Sequence, residues 1–226
     1  MNSFSFLIGF IITLLVIAVI LRSRFSRTIQ DVPNERSLHS NPVPRTGGIG
    51  LMLGIFAGWG FMALILFFFT VWMTNLYNFM DGSDGLAGGM ALFGFAAYGV
   101  AAWLAQDTVL AAASLTIAAA ACGFLLFNFH PARIFMGDAG SIPLGFLAAA
   151  LGIWGWLRGD WVLWFPLLVF SPFIVDATVT LAKRTLRGAK ITEAHREHYY
   201  QRAIQLGASH RAVALAEYGL MTMAGA

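Results

Sequence analysis

One polar stretch decides the fold of this chain: Asn75-Leu-Tyr-Asn78-Phe-Met-Asp81-Gly-Ser-Asp84-Gly-Leu-Ala-Gly-Gly89, which lies between two apolar runs. Its two carboxamides and two carboxylates recur at every third residue. Because a helix turns about 100° per residue, groups at this spacing drift about 60° around its axis, so one straight helix cannot direct all four to one point. We therefore predict that a helix ends near Phe79 and that Gly82 and Gly85 let the chain turn, so that the two aspartates converge from a loop with the asparagines. The alternative is a plain polar helix end with a glycine turn.

The composition is that of an integral membrane protein. Hydrophobic residues make up 58% of the 226 residues and charged residues only 11%, against roughly 45–50% and about 25% in soluble proteins. The first apolar run, residues 4–21, approaches the roughly 20 residues that cross a bilayer and has no signal-peptide cleavage pattern. We predict an all-α, polytopic transmembrane helical bundle of about six spans, one membrane domain over residues 1–226. The other five predicted spans are residues 49–74, 86–105, 109–127, 142–157 and 161–181.

The basic residues are concentrated in two segments. Five of the fourteen lie in residues 22–46 and seven in residues 183–213. The positive-inside rule places both segments in the cytoplasm, and membrane orientation explains them without a nucleic-acid partner. The single cysteine, Cys122, lies in an apolar run, so no disulfide framework exists. The predicted cytoplasmic loops are residues 22–48, 75–85, 128–141 and 183–213.

Counting spans reveals a conflict. If residues 49–74 cross once, the two basic segments lie on opposite sides of the bilayer. The conflict disappears if residues 49–74 form a re-entrant pair or if an odd number of helices is missing. Twenty-six residues are few for two spans, so we predict an internal deletion. Within this run, the glycines at positions 50, 54, 58 and 60 are expected to let another helix approach closely.

A second polar segment contains Gly137-Asp138-Ala-Gly140-Ser141 at the start of an apolar run. A carboxylate beside backbone N–H groups at a helix N-terminus can hold Mg²⁺ against a phosphate. The alternative is that Asp138 or Ser141 only caps the helix. His130 and Arg133 are candidates for further phosphate contacts, although His130, before a proline, can instead shape the turn.

The third polar segment, residues 193–202, contains His195 and His198. Three residues apart on a helix, both rings can reach a diphosphate. Zinc is a rival ligand, but the spacing offers no third nearby ligand. A solvated interfacial helix is the other alternative.

Taken together, these segments resemble the polyprenyl-phosphate N-acetylhexosamine-1-phosphate transferases, bacterial family 4 glycosyltransferases that include the lipid I synthase and the initiators of O-antigen. Four blocks match in order, and the last is most similar to the O-antigen branch. The blocks are residues 34–48, Asn75–Gly89, Arg133-Ile-Phe-Met-Gly-Asp-Ala-Gly-Ser141 and residues 195–202.

The resemblance implies a role for each matching residue. Asp81, Asp84 and Asp138 would be catalytic, with Asp138 and Asp84 at a Mg²⁺ ion, for which Mn²⁺ is the alternative. The implied substrate-binding residues are Asn75, Asn78, Phe79 and Phe135 near the nucleotide, and His195, Arg196 and His198 near the phosphates.

The reaction implied by the resemblance is phosphoryl transfer. The phosphate of undecaprenyl phosphate would attack the sugar-linked phosphorus of a UDP-N-acetylhexosamine-type sugar and release UMP, initiating a cell-envelope polysaccharide such as the O-antigen of lipopolysaccharide. The chain would be a multi-pass protein of the bacterial inner membrane with cytoplasmic active-site loops and a lipid partner drawn from the bilayer. The sequence leaves the sugar and the oligomeric state open, a homo-oligomer included.

One departure from the family pattern stands out. The family carries an adjacent Asp-Asp pair on a cytoplasmic loop, whereas no two of the seven aspartates here are neighbours. We expect three family helices to be missing between Gly50 and Met73, and at least one after Tyr218. The alternative function is therefore a shortened, catalytically inactive remnant or accessory subunit that still binds nucleotide. A transporter has less support, since no inverted repeat is visible.

Overall fold

A computed structural model of the chain describes residues 3–24, 30–31, 43–44, 46–190 and 195–225. Within them, five helices are long and apolar enough to cross a membrane, which confirms the all-α polytopic class. The chain divides into two compact units, Met1–Phe68 and Phe69–Ala226, and a single domain over the whole chain stays a prediction. The helices are α1 Ser3–Arg22, α2 Gly47–Phe79, α3 Leu86–Leu104, α4 Thr108–Asn128, α5 Gly137–Arg158, α6 Trp164–Val169, α7 Ser171–Leu186, α8 Tyr199–Gln205 and α9 His210–Gly225.

The first unit packs α1 against the start of α2 through glycines. A Cβ at Gly54 would lie 1.9 Å from Thr13 Oγ1, and one at Gly58 would lie 2.7 Å from the Ser5 carbonyl oxygen. Small residues allow such close helix approach in lipid, so the prediction is confirmed here and at position 50, whereas position 60 faces open space. The unit also contains the antiparallel strands β1 Gln30–Asp31 and β2 Val43–Pro44.

Helix α2 runs without interruption for 33 residues. The re-entrant pair considered for residues 49–74 is therefore wrong, because every residue of that run continues one α-helix. The helix ends at Phe79, as predicted, and the chain then turns. Of the two turn glycines, only Gly85 has a positive φ, at 75°. Gly82 is needed for space instead, since a Cβ there would lie 2.4 Å from the Tyr200 hydroxyl.

The second unit is built around Tyr98 on α3. Its ring lies 5.1 Å from that of Trp161 and 5.5 Å from that of Phe170. Its hydroxyl donates to the carbonyl oxygen of Ala148 on α5 at 3.0 Å. A Cβ at Gly152 would lie 2.6 Å from the same hydroxyl. The aromatic core and the small residues of α5 therefore hold the helices of this unit together.

The sixth predicted span, residues 161–181, is divided between α6 and α7. Each is shorter than 18 residues. Proline lacks a backbone N–H and is tolerated in the first turn of a helix, and Pro172 lies there in α7. Helix α7 also buries the polar residues Asp176, Thr180 and Arg184, four residues apart on one face. Two members of this buried stripe, Asp176 and Thr180, lie within the predicted sixth span.

Helix α9 packs against the polar stretch at residues 75–89. The Tyr218 hydroxyl donates to the carbonyl oxygen of Gly85 at 2.7 Å. A Cβ at Gly89 would lie 1.9 Å from the Tyr218 ring, which also lies 5.2 Å from the ring of Phe93. The loop between α2 and α3 is thereby held by the C-terminal helix of the described chain.

Candidate functional site

The first cluster of the site joins α2 to α5, and we call it the Asp138 cluster. The Asn78 amide, in the last turn of α2, donates to Asp138 Oδ1 at 2.8 Å and to Ser141 Oγ at 2.9 Å. Ser141 in turn donates to the Gly137 carbonyl oxygen at 3.0 Å. No side chain caps the N-terminus of α5, so capping does not account for Asp138 or Ser141. Two motifs 60 residues apart in the sequence therefore meet through one carboxamide.

Asp81 completes this cluster from the α2–α3 loop. Burial raises the pKa of Asp81 to about 6, a hydrogen bond from the Gly137 N–H opposes that rise, and the nearby Asp138 carboxylate adds to it. Two carboxylates that repel each other form a donor set of the type that Mg²⁺ prefers. Among the described residues, no group of three or more His, Cys, Asp or Glu side chains is arranged to hold a metal ion. A Mg²⁺ ion commonly uses one or two carboxylates together with waters and substrate phosphates, so this pair fits it.

Asp84 lies in a second cluster with different partners. Its Oδ2 accepts from His130 Nδ1 at 2.7 Å and from the Ala132 N–H at 3.2 Å. His210 Nδ1, which lies 2.9 Å from the Ser83 hydroxyl, is 3.8 Å from Asp84 Oδ1. Burial alone would raise the pKa of Asp84, but the hydrogen bonds from His130 and Ala132 lower it overall. The described contacts give Asp81 and Asp84 no partner in common, so their convergence and the place of Asp84 at the Mg²⁺ ion stay predictions.

Asn128, which the sequence reasoning did not single out, fixes the two polar loops to each other. Its buried side chain accepts from the Gly85 N–H at 3.0 Å and donates to the Ile134 carbonyl oxygen at 2.7 Å. A polar residue at the last position of an apolar helix was the available signal. Both backbone partners would lose their hydrogen bonds without this amide, so Asn128 holds the loop geometry.

His198 is organised by a buried carboxylate that the sequence reasoning also missed. Asp176 Oδ1 lies 3.1 Å from His198 Nδ1 and accepts from the Tyr199 N–H at 2.9 Å. Its Oδ2 accepts from the Tyr200 N–H at 3.1 Å. The His198 ring is stacked on Phe79, with centroids 6.1 Å apart. Asp176 thus connects α7 to the start of α8 and places His198 beside the end of α2.

His195 and Arg196 lie just before His198 in the chain. The rings of His195 and His198 are 4.9 Å apart. Burial lowers the pKa of His195, and the positive charge of Arg184 and the neighbouring His198 lower it further. The Arg196 side chain is exposed. The zinc alternative gains no third ligand from the described residues.

The remaining predicted residues are less closely engaged. The Asn75 amide donates to the Val71 carbonyl oxygen of its own helix at 2.7 Å and is exposed. Phe135 is 53% exposed on the loop before α5. Most of the 34–48 block and Glu193 lie outside the described residues, as do most of the predicted loop at 22–48 and part of that at 183–213.

The comparisons with known proteins agree with this motif content. The sequence profile of glycosyl transferase family 4 matches residues 35–156. A probable undecaprenyl-phosphate N-acetylglucosaminyl 1-phosphate transferase of Bacillus subtilis is 34% identical over 150 residues, 66% of this chain and 42% of the relative. The phospho-N-acetylmuramoyl-pentapeptide-transferases of Oceanobacillus iheyensis and Enterococcus hirae are 39% and 33% identical, over 65% and 68% of this chain.

The chain spans less than half the length of these relatives, 42%, 40% and 46% respectively. The family profile nevertheless covers more than half of this chain and includes both the 75–89 stretch and the Gly137–Ser141 block. The chain therefore belongs to glycosyl transferase family 4.

Proposed function

We propose that this chain transfers an N-acetylhexosamine-1-phosphate group from a UDP-sugar to undecaprenyl phosphate in the bacterial inner membrane, with release of UMP. One observation carries the proposal: the Asn78 amide joins the last turn of α2 to Asp138, with Asp81 beside them. The same two motifs lie within the part of the chain that matches the family profile. The names of the relatives support an undecaprenyl-phosphate acceptor and a phospho-sugar donor.

In this reaction an oxygen of the lipid phosphate attacks the sugar-linked phosphorus, and the bond from that phosphorus to the bridging oxygen breaks. UMP leaves with the electron pair. Asp138 and Asp81 would hold a Mg²⁺ ion, with Mn²⁺ as the alternative, and the bound ion would offset charge on the diphosphate. Asn78 positions the Asp138 carboxylate through its 2.8 Å hydrogen bond.

Other residues bind and orient the donor. Phe79 and His198 form a stacked pair beside Asn78, and Asp176 fixes the orientation of the His198 ring. The exposed Phe135 and Arg196 are available to the nucleotide and its phosphates. The O-antigen as the final product is part of the proposal and rests on the resemblance of residues 195–202 alone.

The test is a transfer assay with a radiolabelled UDP-N-acetylhexosamine in membranes that contain undecaprenyl phosphate. We expect Mg²⁺-dependent formation of lipid-linked label, and a loss of roughly a thousand-fold in the Asp138→Asn variant. The matched control is Asp160→Asn, because Asp160 follows the opposite end of α5. That variant should keep the native rate. An Asp138→Asn variant as active as the native chain would contradict the proposal.

A second candidate is a nucleotide-binding subunit without transfer activity. The absence of neighbouring aspartates favours it, since the family pattern includes such a pair. Under this candidate the purified chain binds UDP-sugar and gives no lipid-linked label, alone or with added Mg²⁺. Restoration of label by a full-length relative, beyond the rate of that relative alone, would identify an accessory role.

A further inference from the structure

The stripe of buried polar residues on α7 has one member with no part in the steps described above. Asp176 lies against His198, and Thr180 donates to Asp176 Oδ1 at 3.2 Å. The third member, Arg184, has a side chain that is only 7% exposed. Burying a guanidinium is strongly unfavourable unless it is paired and hydrogen-bonded. The partners of Arg184 therefore indicate what this residue does.

Arg184 holds the chain at two places before His198. Its Nη1 donates to the Glu197 carboxylate, and its Nη2 donates to the Lys190 carbonyl oxygen at 3.1 Å. Its own carbonyl oxygen accepts from the Ala189 N–H at 3.0 Å. A planar guanidinium presents its N–H donors in a fixed fork, so the two acceptors of the side chain have a defined relative position. One buried side chain of α7 thus fixes the chain at position 190 and again at position 197.

Glu197 transmits this hold to the histidines that the sequence predicts near the phosphates. It is the residue directly before His198 and the second after His195. On the other side of His198, the Asp176 carboxylate accepts from the backbone N–H groups of the next two residues. Two residues on one face of α7, Asp176 and Arg184, therefore hold the chain directly after and directly before His198.

The His195 ring lies in the same environment and has one nitrogen open to a ligand. Its Nδ1 is buried and has no hydrogen-bond partner among the described residues, and the same is true of the Arg184 Nε. A ligand therefore meets this ring through Nε2. Burial lowers the pKa of His195, the positive charges of Arg184 and His198 lower it further, and Glu197 opposes them. The guanidinium thus acts on the charge of the ring as well as on the position of the segment.

We propose that Arg184 is a positioning residue for the donor. Its buried guanidinium, through Glu197 and the Lys190 carbonyl oxygen, holds the His195–His198 segment in the geometry that meets the phosphates of a UDP-sugar. The identity of this ligand rests on the proposed function, whereas the positioning of the segment does not. Arg184 lies outside every motif used for the family resemblance.

Binding of UDP-N-acetylglucosamine to the full chain in lipid nanodiscs tests the role of Arg184 at the donor site. We expect Arg184→Gln to weaken binding roughly ten-fold, since it removes the charge-assisted hydrogen bond that fixes Glu197. Glu197 is 43% exposed, so water solvates its carboxylate in this variant and no buried charge is left unpaired.

Arg187→Gln is the matched control on the same helix. The Arg187 guanidinium lies 3.7 Å from the same Glu197 carboxylate, but its side chain is 64% exposed. An exposed ion pair contributes little, so the affinity for UDP-N-acetylglucosamine should stay within about two-fold of the native value. An equal loss in Arg184→Gln and Arg187→Gln would overturn the positioning role in favour of general attraction by basic residues.

A second measurement follows His195 without ligand or turnover. Diethyl pyrocarbonate reacts with the neutral imidazole, so the pH dependence of His195 labelling, followed by mass spectrometry, reports the pKa of the ring. Arg184→Gln should shift the labelling midpoint to higher pH, because the Glu197 charge then acts on the ring unopposed by the guanidinium. Arg184→Lys keeps the charge and should keep the midpoint, yet weaken UDP-N-acetylglucosamine binding about three-fold, because an ammonium lacks the planar fork.

The two measurements separate the positioning role from the proposed function. In a chain that binds UDP-N-acetylglucosamine, native affinity in Arg184→Gln overturns the positioning role. If the native chain does not bind this ligand, an Arg184-dependent His195 midpoint counts against the proposed function alone, and an unchanged midpoint overturns the positioning role as well. If Arg184→Gln does not fold, Arg184→Lys decides: weakened binding with a native midpoint supports the fork, and native affinity overturns it.

Discussion

Asp81 and Asp84 lie three residues apart in one loop, and each is followed directly by a glycine, yet their environments are opposite. Asp81 lies half-buried near Asp138 with one backbone donor, and its pKa is raised to about 6. Asp84 accepts hydrogen bonds from His130 and Ala132, and its pKa is lowered. A carboxylate pair that lacks cations attracts a metal ion, whereas a carboxylate with donors on both sides serves to orient them. The same residue type at helical spacing therefore has two different roles, set by what the neighbouring segments bring.

The largest expected effect comes from exchanging each aspartate for asparagine. Asp81→Asn should lower Mg²⁺-dependent transfer at least 100-fold, because it removes one of two carboxylates that can hold the ion. Asp84→Asn should lower transfer less, and leave the Mg²⁺ concentration for half-maximal rate unchanged. Measurement of rate against Mg²⁺ concentration in membranes distinguishes the two. A shifted Mg²⁺ requirement in Asp84→Asn would mean that both aspartates share the ion after all.

The next largest effect concerns the Asn128 amide, which joins the α2–α3 loop to the α4–α5 loop. Asn128→Ala should lower the free energy of unfolding by about 2–3 kcal/mol, since it leaves the Gly85 N–H and the Ile134 carbonyl without partners. Thermal unfolding in detergent measures it. Asn75→Ala is the control, because that amide is exposed and bonds only within α2. Equal destabilisation by the two variants would contradict the role given to Asn128.

The pH dependence of stability should have opposite signs at the two aspartates. The folded-state pKa of Asp81 is raised from 3.8 to about 6, so the folded state holds more protons there and stability falls as pH rises from about 4 to 6. Asp84 has a lowered pKa, so its contribution is present above its ordinary pKa near 3.8 and is lost as pH falls through the folded value. Without divalent ions, Asp81→Asn should gain stability relative to the native chain as pH rises from about 4 to 6, by about 1 kcal/mol after solvent screening. Asp84→Asn should lose stability relative to the native chain as pH rises through the ordinary aspartate pKa near 3.8. Parallel curves for both variants would refute the contrast.

The smallest effect tests the contact from α9. Tyr218→Phe removes the hydroxyl that donates to the Gly85 carbonyl oxygen at 2.7 Å and keeps the ring packing on Gly89. We expect a loss of about 1 kcal/mol in the free energy of unfolding, the usual worth of one hydrogen bond. Thr222→Val is the comparison, since its exposed hydroxyl bonds only within α9. A Tyr218→Phe variant as stable as the native chain would show that the ring alone secures the loop.

Features that depend on local backbone geometry or side-chain size were predictable from the sequence, whereas features without a local signal were missed. The end of α2 at Phe79, the positive φ at Gly85 and the close approach at Gly54 were predictable, because each depends on local backbone geometry or on side-chain size. The break between α6 and α7 was missed, since apolar residues on both sides of Pro172 gave a continuous hydropathy signal. Asp176 was missed because a single acid in an apolar run carries no motif, although it organises His198.

The sequence by itself determined the membrane class, the family and the presence of acids and amides at the ends of apolar helices. Hydropathy and short-range spacing are properties of the chain, and they do not depend on which distant segments meet. Only the tertiary structure decided that Asn78 bonds to Asp138, that Asp84 turns to His130 and His210, and that Asn128 joins two loops. Partner choice for a polar group depends on the donors and acceptors that packing brings within about 3 Å, and residues up to 133 positions apart supply them here.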